Sequence, residues 1–165
     1  MAFPFKILAV LIGLVLTSSA YGGDGDLEWQ TLSTAHFRVH YPSQLSVMAQ
    51  RTAEICEEAY LVVNPLMDYA PSYKVEVVIS DFGDNANGWA TAKPYPMIHL
   101  YAVPPSLGSS LGDYDDWLRL LIFHEYTHIL QLDRAEGMPA LLNALLGRLS
   151  YPNHNLPSFL LEGGA

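Results

Sequence analysis

The sequence is poor in cysteine, in positive charge and in long apolar runs. A single cysteine, Cys56, rules out an intrachain disulfide and with it a disulfide scaffold. Cys56 also lies too far from the N-terminus to be a lipid-anchoring cysteine. Ile55 and Ala59 beside it mark it as a small core residue of a helix. Eight basic residues against seventeen acidic ones give a formal net charge of -9, with no basic cluster. The chain therefore has no electrostatic footprint for nucleic acid, and its acidity favours solubility. No stretch approaches the roughly 20 apolar residues of a confident membrane span. Internal repeats and low-complexity tracts are absent as well.

The longest apolar run is N-terminal. Lys6 precedes residues 7–16, and Ser18-Ser19-Ala20 follows as a small-residue cleavage site. Residues 1–20 read as a secretory signal peptide, which directs the rest to the periplasm or the exterior, with a retained N-terminal anchor as the alternative. Residues 21–26 are Gly/Asp-rich and read as a flexible mature N-terminus. The remaining 27–165 are long enough for one domain with a real core.

Within that domain, residues 118–132 read LRLLIFHEYTHILQL. As a helix, this segment stacks His124 and His128 one turn apart on one face, where both imidazoles can reach one metal ion. Glu125, next to the first ligand, can hold a water beside the metal. This is the H-E-x-x-H arrangement of zinc hydrolases. The surrounding residues are apolar, so an uncompensated Glu125 carboxylate there is costly.

A catalytic zinc site takes three protein ligands, so a third is sought. The extended pattern with a third histidine on the same segment fails, because Gln131 and Arg134 occupy its Gly and His positions. Cys56 belongs to another core face. His154, in Asn153-His154-Asn155, is chemically competent. Glu162 is the preferred ligand: Pro157 can start a helix, and Phe159, Leu160 and Leu161 are expected to bury the near side of its carboxylate. A merely structural Glu162 is the remaining alternative.

The rest of the chain frames this segment. Residues 35–41 alternate, with Phe37, Val39 and Tyr41 on one face and His36, Arg38 and His40 on the solvent face of a strand. The two histidines fall about 13 Å apart along such a strand, too far to share an ion. A packing helix is expected from Ser43, as N-cap, to about Asn64-Pro65. Strands follow at 73–80 and 97–103, separated by a turn-rich loop at 81–89 that ends in Asn87-Gly88. The prolines around 97–103 suit an edge strand, available to pair with an extended peptide. His99 on it reads as structural. Residues 113–116 cap the motif helix, Gly137 and Pro139 mark its end, and a short amphipathic helix spans 140–146. The order gives an α+β fold with the active helix packed on a small sheet.

Two histidines on one helix and a glutamate on a second resemble the gluzincin metallopeptidases, the thermolysin and aminopeptidase N type. The closer resemblance is to the peptidase-MA-like domains of secreted bacterial proteins. HEYTHILQ (124–131) matches their HE-x-x-H-x-x-Q stretch, and PSFLLEG (157–163) their P-x-W/F-L-x-E-G segment. LEWQTLSTAHFRVHYP (27–42) and the NG-containing hairpin before the motif also look like that family. The resemblance implies a zincin-like fold, with a small mixed sheet on a long HExxH helix and a following ligand helix. It implies Zn2+ held by His124, His128 and Glu162, with Glu125 as general base. The implied activity is hydrolysis of a peptide or protein substrate by a metal-activated water. An oxyanion-stabilising Tyr or His is also implied, but Tyr126 points off the ligand face.

Two departures bear on activity. Gly164 stands where many members have Leu, and the acidic residue often found four positions after the ligand Glu would fall beyond Ala165. The chain is thus expected to be a C-terminally truncated copy, with further helix and often a β-propeller in the full-length protein. The alternative function is an exported zinc-binding or catalytically inactive interaction module.

Overall fold

The computed structural model describes residues 27–81, 87–104, 116–147, 151–155 and 162–163. The expected signal peptide at 1–20, the stretch 21–26, the expected cap residues 113–115 and residues 157–161, where the second ligand segment is expected to start, lie outside them. So does the side chain of His154.

The fold is α+β. Five strands, β1 (Trp29–Ser33), β2 (Phe37–Pro42), β3 (Val75–Ser80), β4 (Gly88–Thr91) and β5 (Met97–Tyr101), form one mixed sheet in the order β1-β2-β3-β5-β4. The central pairs β2–β3 and β3–β5 are parallel, and the outer pairs β1–β2 and β4–β5 are antiparallel. Among the described residues three α-helices accompany the sheet: α1 (Ser46–Met67), α2 (Trp117–Asp133) and α3 (Met138–Leu146).

Period-two alternation decides which face of the sheet is covered. Phe37, Val39, Val75, Val77, Ile79, Ile98 and Leu100 all point to one face and are fully or almost fully buried. α1 covers the β2 side of that face and α2 the β4–β5 side, and the two helices also pack on each other. α1 contributes Ala49, Ala53, Ile55, Cys56, Ala59 and Val63; α2 contributes Leu118, Leu121, Ile122, Tyr126, Ile129 and Leu130. Both sets keep the three-to-four spacing of a buried helical face. Cys56 is fully buried, and that burial pushes its thiol well above the usual range. It is the core residue its neighbours announced.

Several sequence expectations need correction. β1 and β4 were not foreseen as strands, and 97–103 is not an edge. β5 is flanked by β3 and β4, so among the described residues the free edges belong to β1 and β4. Ser43 does not cap α1; it opens a short 3-10 turn, Ser43–Leu45, from which α1 continues without a side-chain cap. α1 also runs past Pro65 to Met67. The amide hydrogen that Pro65 lacks removes one bond close to the helix end, and Asp68, in the left-handed region at φ 47°, closes the helix with its N–H on the Asn64 carbonyl. α2 is capped by Asp116, whose carboxylate accepts the Arg119 N–H at 3.2 Å. It ends at Asp133, before Gly137 and Pro139, which instead begin α3. No residue of α3 is fully buried; Pro139, Ala140 and Asn143 are half-buried and the rest of the helix is exposed.

Candidate metal centre

The site is built on the α2 turn 124–128. Burial of Ile122, Tyr126 and Ile129 against the core fixes the rotation of α2. That rotation turns His124 and His128 toward a cleft of about 390 Å³ between α2 and β4. The two rings stand edge to face, 81° apart. Their Nε2 atoms lie 3.1 Å from each other. Glu162 Oε2 completes a triangle, 3.5 Å from His124 Nε2 and 3.7 Å from His128 Nε2. Among the described residues these are the His, Cys, Asp and Glu side chains whose donor atoms converge, all within 4.8 Å of one another.

The donor set fits zinc. A tetrahedral ion with bonds of about 2.0–2.1 Å spaces its ligands about 3.3 Å apart, close to the three separations here. Two imidazoles and one carboxylate also match the ligand chemistry of a catalytic site with a fourth position open. Each Nε2 must present a lone pair. For His128 that is arranged within the chain: its Nδ1 faces Gln131 Oε1 at 3.2 Å, which accepts the Nδ1 proton and leaves Nε2 bare. His124 is held below the usual histidine range by burial and by the proximity of His128, against the pull of Glu162.

Glu125 lines the same cleft and is buried. Desolvation, reinforced by the nearby Glu162 charge, raises its carboxyl from 4.5 to about 7. A carboxyl near neutrality is able both to take and to return a proton. Glu162 corrects one expectation. Its side chain is 63% exposed, so it is not an apolar burial that calls for a cation there. What ties it to the site is its distance from the two imidazoles.

Segment 151–155 docks on the C-terminal end of α2. Asn153 Nδ2 donates to the carbonyls of Gln131 at 2.8 Å and Arg134 at 2.9 Å, satisfying two groups at the helix terminus. It thereby ties the chain leading to Glu162 onto the helix that carries the histidines.

The other candidates lie elsewhere. His36 sits just before β2, against α1, with Nδ1 2.7 Å from Glu57 Oε2 and its ring stacked on Tyr60 at 3.5 Å. His40, on the outer sheet face, joins Glu76 at 2.8 Å and Thr31 at 2.9 Å. His99 pairs with Ser80 Oγ at 2.7 Å and stacks on Trp89. All three are structural. Tyr126 is fully buried and donates its hydroxyl to Asn64 Oδ1 at 2.7 Å, away from the cleft. A larger cleft of about 650 Å³ lies on the outer sheet face beside Arg38, Glu76 and Tyr95, but no donor set converges there.

The opposite wall of the site is β4, which sequence reasoning left in a loop. Tyr101 N–H donates to the Asn87 carbonyl at 3.0 Å, so Asn87, Trp89 and Thr91 bond inward to β5. Alternation then turns the peptide groups of Gly88 and Ala90 to the free edge. Gly88 N–H is taken by Asn87 Oδ1 at 2.8 Å. The Gly88 carbonyl and both Ala90 groups remain to pair with an added strand. A run of four residues around an Asn-Gly pair carries too little pattern to be read as a strand.

No protein-family model, curated protein or solved structure matches the chain.

Proposed function

We propose that the chain is a zinc metallopeptidase of the gluzincin kind, an exported enzyme acting on extended peptide or protein substrates. The observation that carries this reading is the convergence of His124 Nε2, His128 Nε2 and Glu162 Oε2 beside a buried Glu125. His124, His128 and Glu162 would hold Zn2+. When bound, that ion supplies Lewis acidity, activating a water and polarising the scissile carbonyl. Gln131 keeps His128 in the tautomer that donates through Nε2. Glu125 takes the proton of the attacking water and delivers it to the leaving amine.

The free edge of β4 supports an extended substrate laid beside Gly88 and Ala90, whose outward peptide groups add main-chain hydrogen bonds along the cleft. This role passes to β4 from β5, which is paired on both sides. Export remains part of the proposal through the signal-peptide pattern at 1–20. No helix among the described residues is long and apolar enough to cross a membrane.

Cleavage of an unstructured protein substrate by wild type and by Glu125→Gln tests the reading. A peptidase loses turnover in the variant while retaining zinc. An exported binding module has no turnover in either protein.

A further inference from the structure

Gly88 is the point where β4 meets the catalytic helix. It stands opposite Leu100 in the β4–β5 register, on the face of the sheet that α2 covers. A Cβ placed on Gly88 would lie 3.3 Å from Glu125 Cγ, 3.1 Å from the His99 carbonyl oxygen and 3.3 Å from Leu100 Cδ2. All three are closer than ordinary van der Waals contact. The glycines with positive φ among the described residues are Gly137 and Gly147, so Gly88 does not serve a left-handed backbone. It serves space.

Which neighbour would give way follows from what holds each one. The His99 carbonyl belongs to β5, locked between two strands, and Leu100 is fully buried. β4 itself is pinned on its other face, where the Trp89 ring stacks on His99 with centroids 5.3 Å apart. Its start is tied by Asn87, through its carbonyl to Tyr101 N–H and through Oδ1 to Gly88 N–H. Among the described residues the Glu125 side chain makes no hydrogen bond or ion pair, so it can rotate. Of the three contacts, the one with Glu125 is therefore the one that relaxes by rotation, and an added methyl group would displace that side chain.

We propose that Gly88 is a positioning residue: its bare Cα is the surface on which Glu125 rests, and the missing side chain lets that carboxylate lie beside the His124–His128 pair. The inference builds on the peptidase reading. It also makes Asn87-Gly88 a working part of the site, where the dipeptide alone reads as a turn.

Thermal unfolding of the full chain in two backgrounds tests it without turnover. Gly88→Ala is expected to lower Tm by about 5 °C in the wild type. In a Glu125→Ala background, where no Cγ remains to be pushed, the loss is expected to fall to less than half. Zinc content should be unchanged in the single variant. Its KM should stay within about threefold and its kcat fall by about 10²-fold. Equal Tm losses in both backgrounds overturn the proposal, since the strain then lies against His99 and Leu100 alone. A Gly88→Ala enzyme with wild-type kcat overturns it too. Absence of turnover in the wild type sinks the peptidase reading, and the two-background comparison still decides whether Glu125 rests on Gly88.

Discussion

His124 Nε2 and His128 Nε2 approach to 3.1 Å, with Glu162 Oε2 within 3.7 Å of each. Two imidazole nitrogens at that separation either share a proton or face a common cation. The Gln131 carbonyl oxygen on His128 Nδ1 fixes which nitrogen of His128 is bare. The pair is thereby set up to donate in one direction, into the cleft against β4.

Gln131→Leu removes the acceptor that fixes the His128 tautomer. Zinc affinity, measured by chelator competition, is expected to fall by about 10- to 100-fold, with far-UV circular dichroism unchanged. Wild-type affinity in this variant would show that the Gln131 contact does not orient His128.

Glu125→Gln should stabilise the metal-free protein, and only above acid pH. The folded carboxyl titrates at about 7 and its unfolded counterpart at 4.5, so the wild type binds its proton more tightly when folded. That contribution is fully present below about 4.5 and is lost as pH rises through 7. The Tm advantage of the variant should therefore open between about pH 4.5 and 7 and stay constant above. A pH-independent difference between the two proteins would contradict the buried-carboxyl account.

Glu57→Gln has the opposite sign. Burial pushes Glu57 up, but hydrogen bonds from Thr34 and from the side chain and backbone of His36, with the His36 charge, outweigh it and lower the carboxyl overall. Its stabilisation is present above the unfolded value of about 4.5 and disappears as pH falls through the folded one. In urea titrations the variant should be less stable by about 1 kcal/mol at pH 7 and indistinguishable from wild type near pH 3.

Ala90→Pro removes an N–H that points to the free edge and no bond to β5. The fold should tolerate it, with zinc content unchanged. KM for an extended substrate should rise about fivefold, one lost main-chain hydrogen bond being worth about 1 kcal/mol. Proline at Ile98, inside the sheet, should instead unfold the protein. Equal KM values for wild type and Ala90→Pro would remove β4 from substrate binding.

The α+β class and the rotation of α2 were legible in the sequence because both rest on periodicity. Ile122, Tyr126 and Ile129 define a buried stripe, and His124 and His128 fall off it together. The convergence of Glu162 with them depends on a long-range approach that no local pattern encodes. Burial beside apolar neighbours does not single it out, since its carboxylate is largely exposed. β4 was hidden for a different reason. Asn87-Gly88 has the composition of a turn, and only the three-dimensional contact with Glu125 shows that glycine is needed there for room. The prolines around β5 suggested an edge, yet they flank a strand whose hydrogen bonds are made on both sides. Ser43 illustrates the same limit at a helix start, where a 3-10 turn replaces the side-chain cap.

Zinc per folded chain, determined by elemental analysis after dialysis, decides whether His124, His128 and Glu162 form a zinc site. About one zinc per chain is expected in the wild type, little or none in His128→Ala, and a reduced content in Glu162→Ala. A folded wild-type protein that retains no zinc, or one that retains it equally in all three, would contradict it.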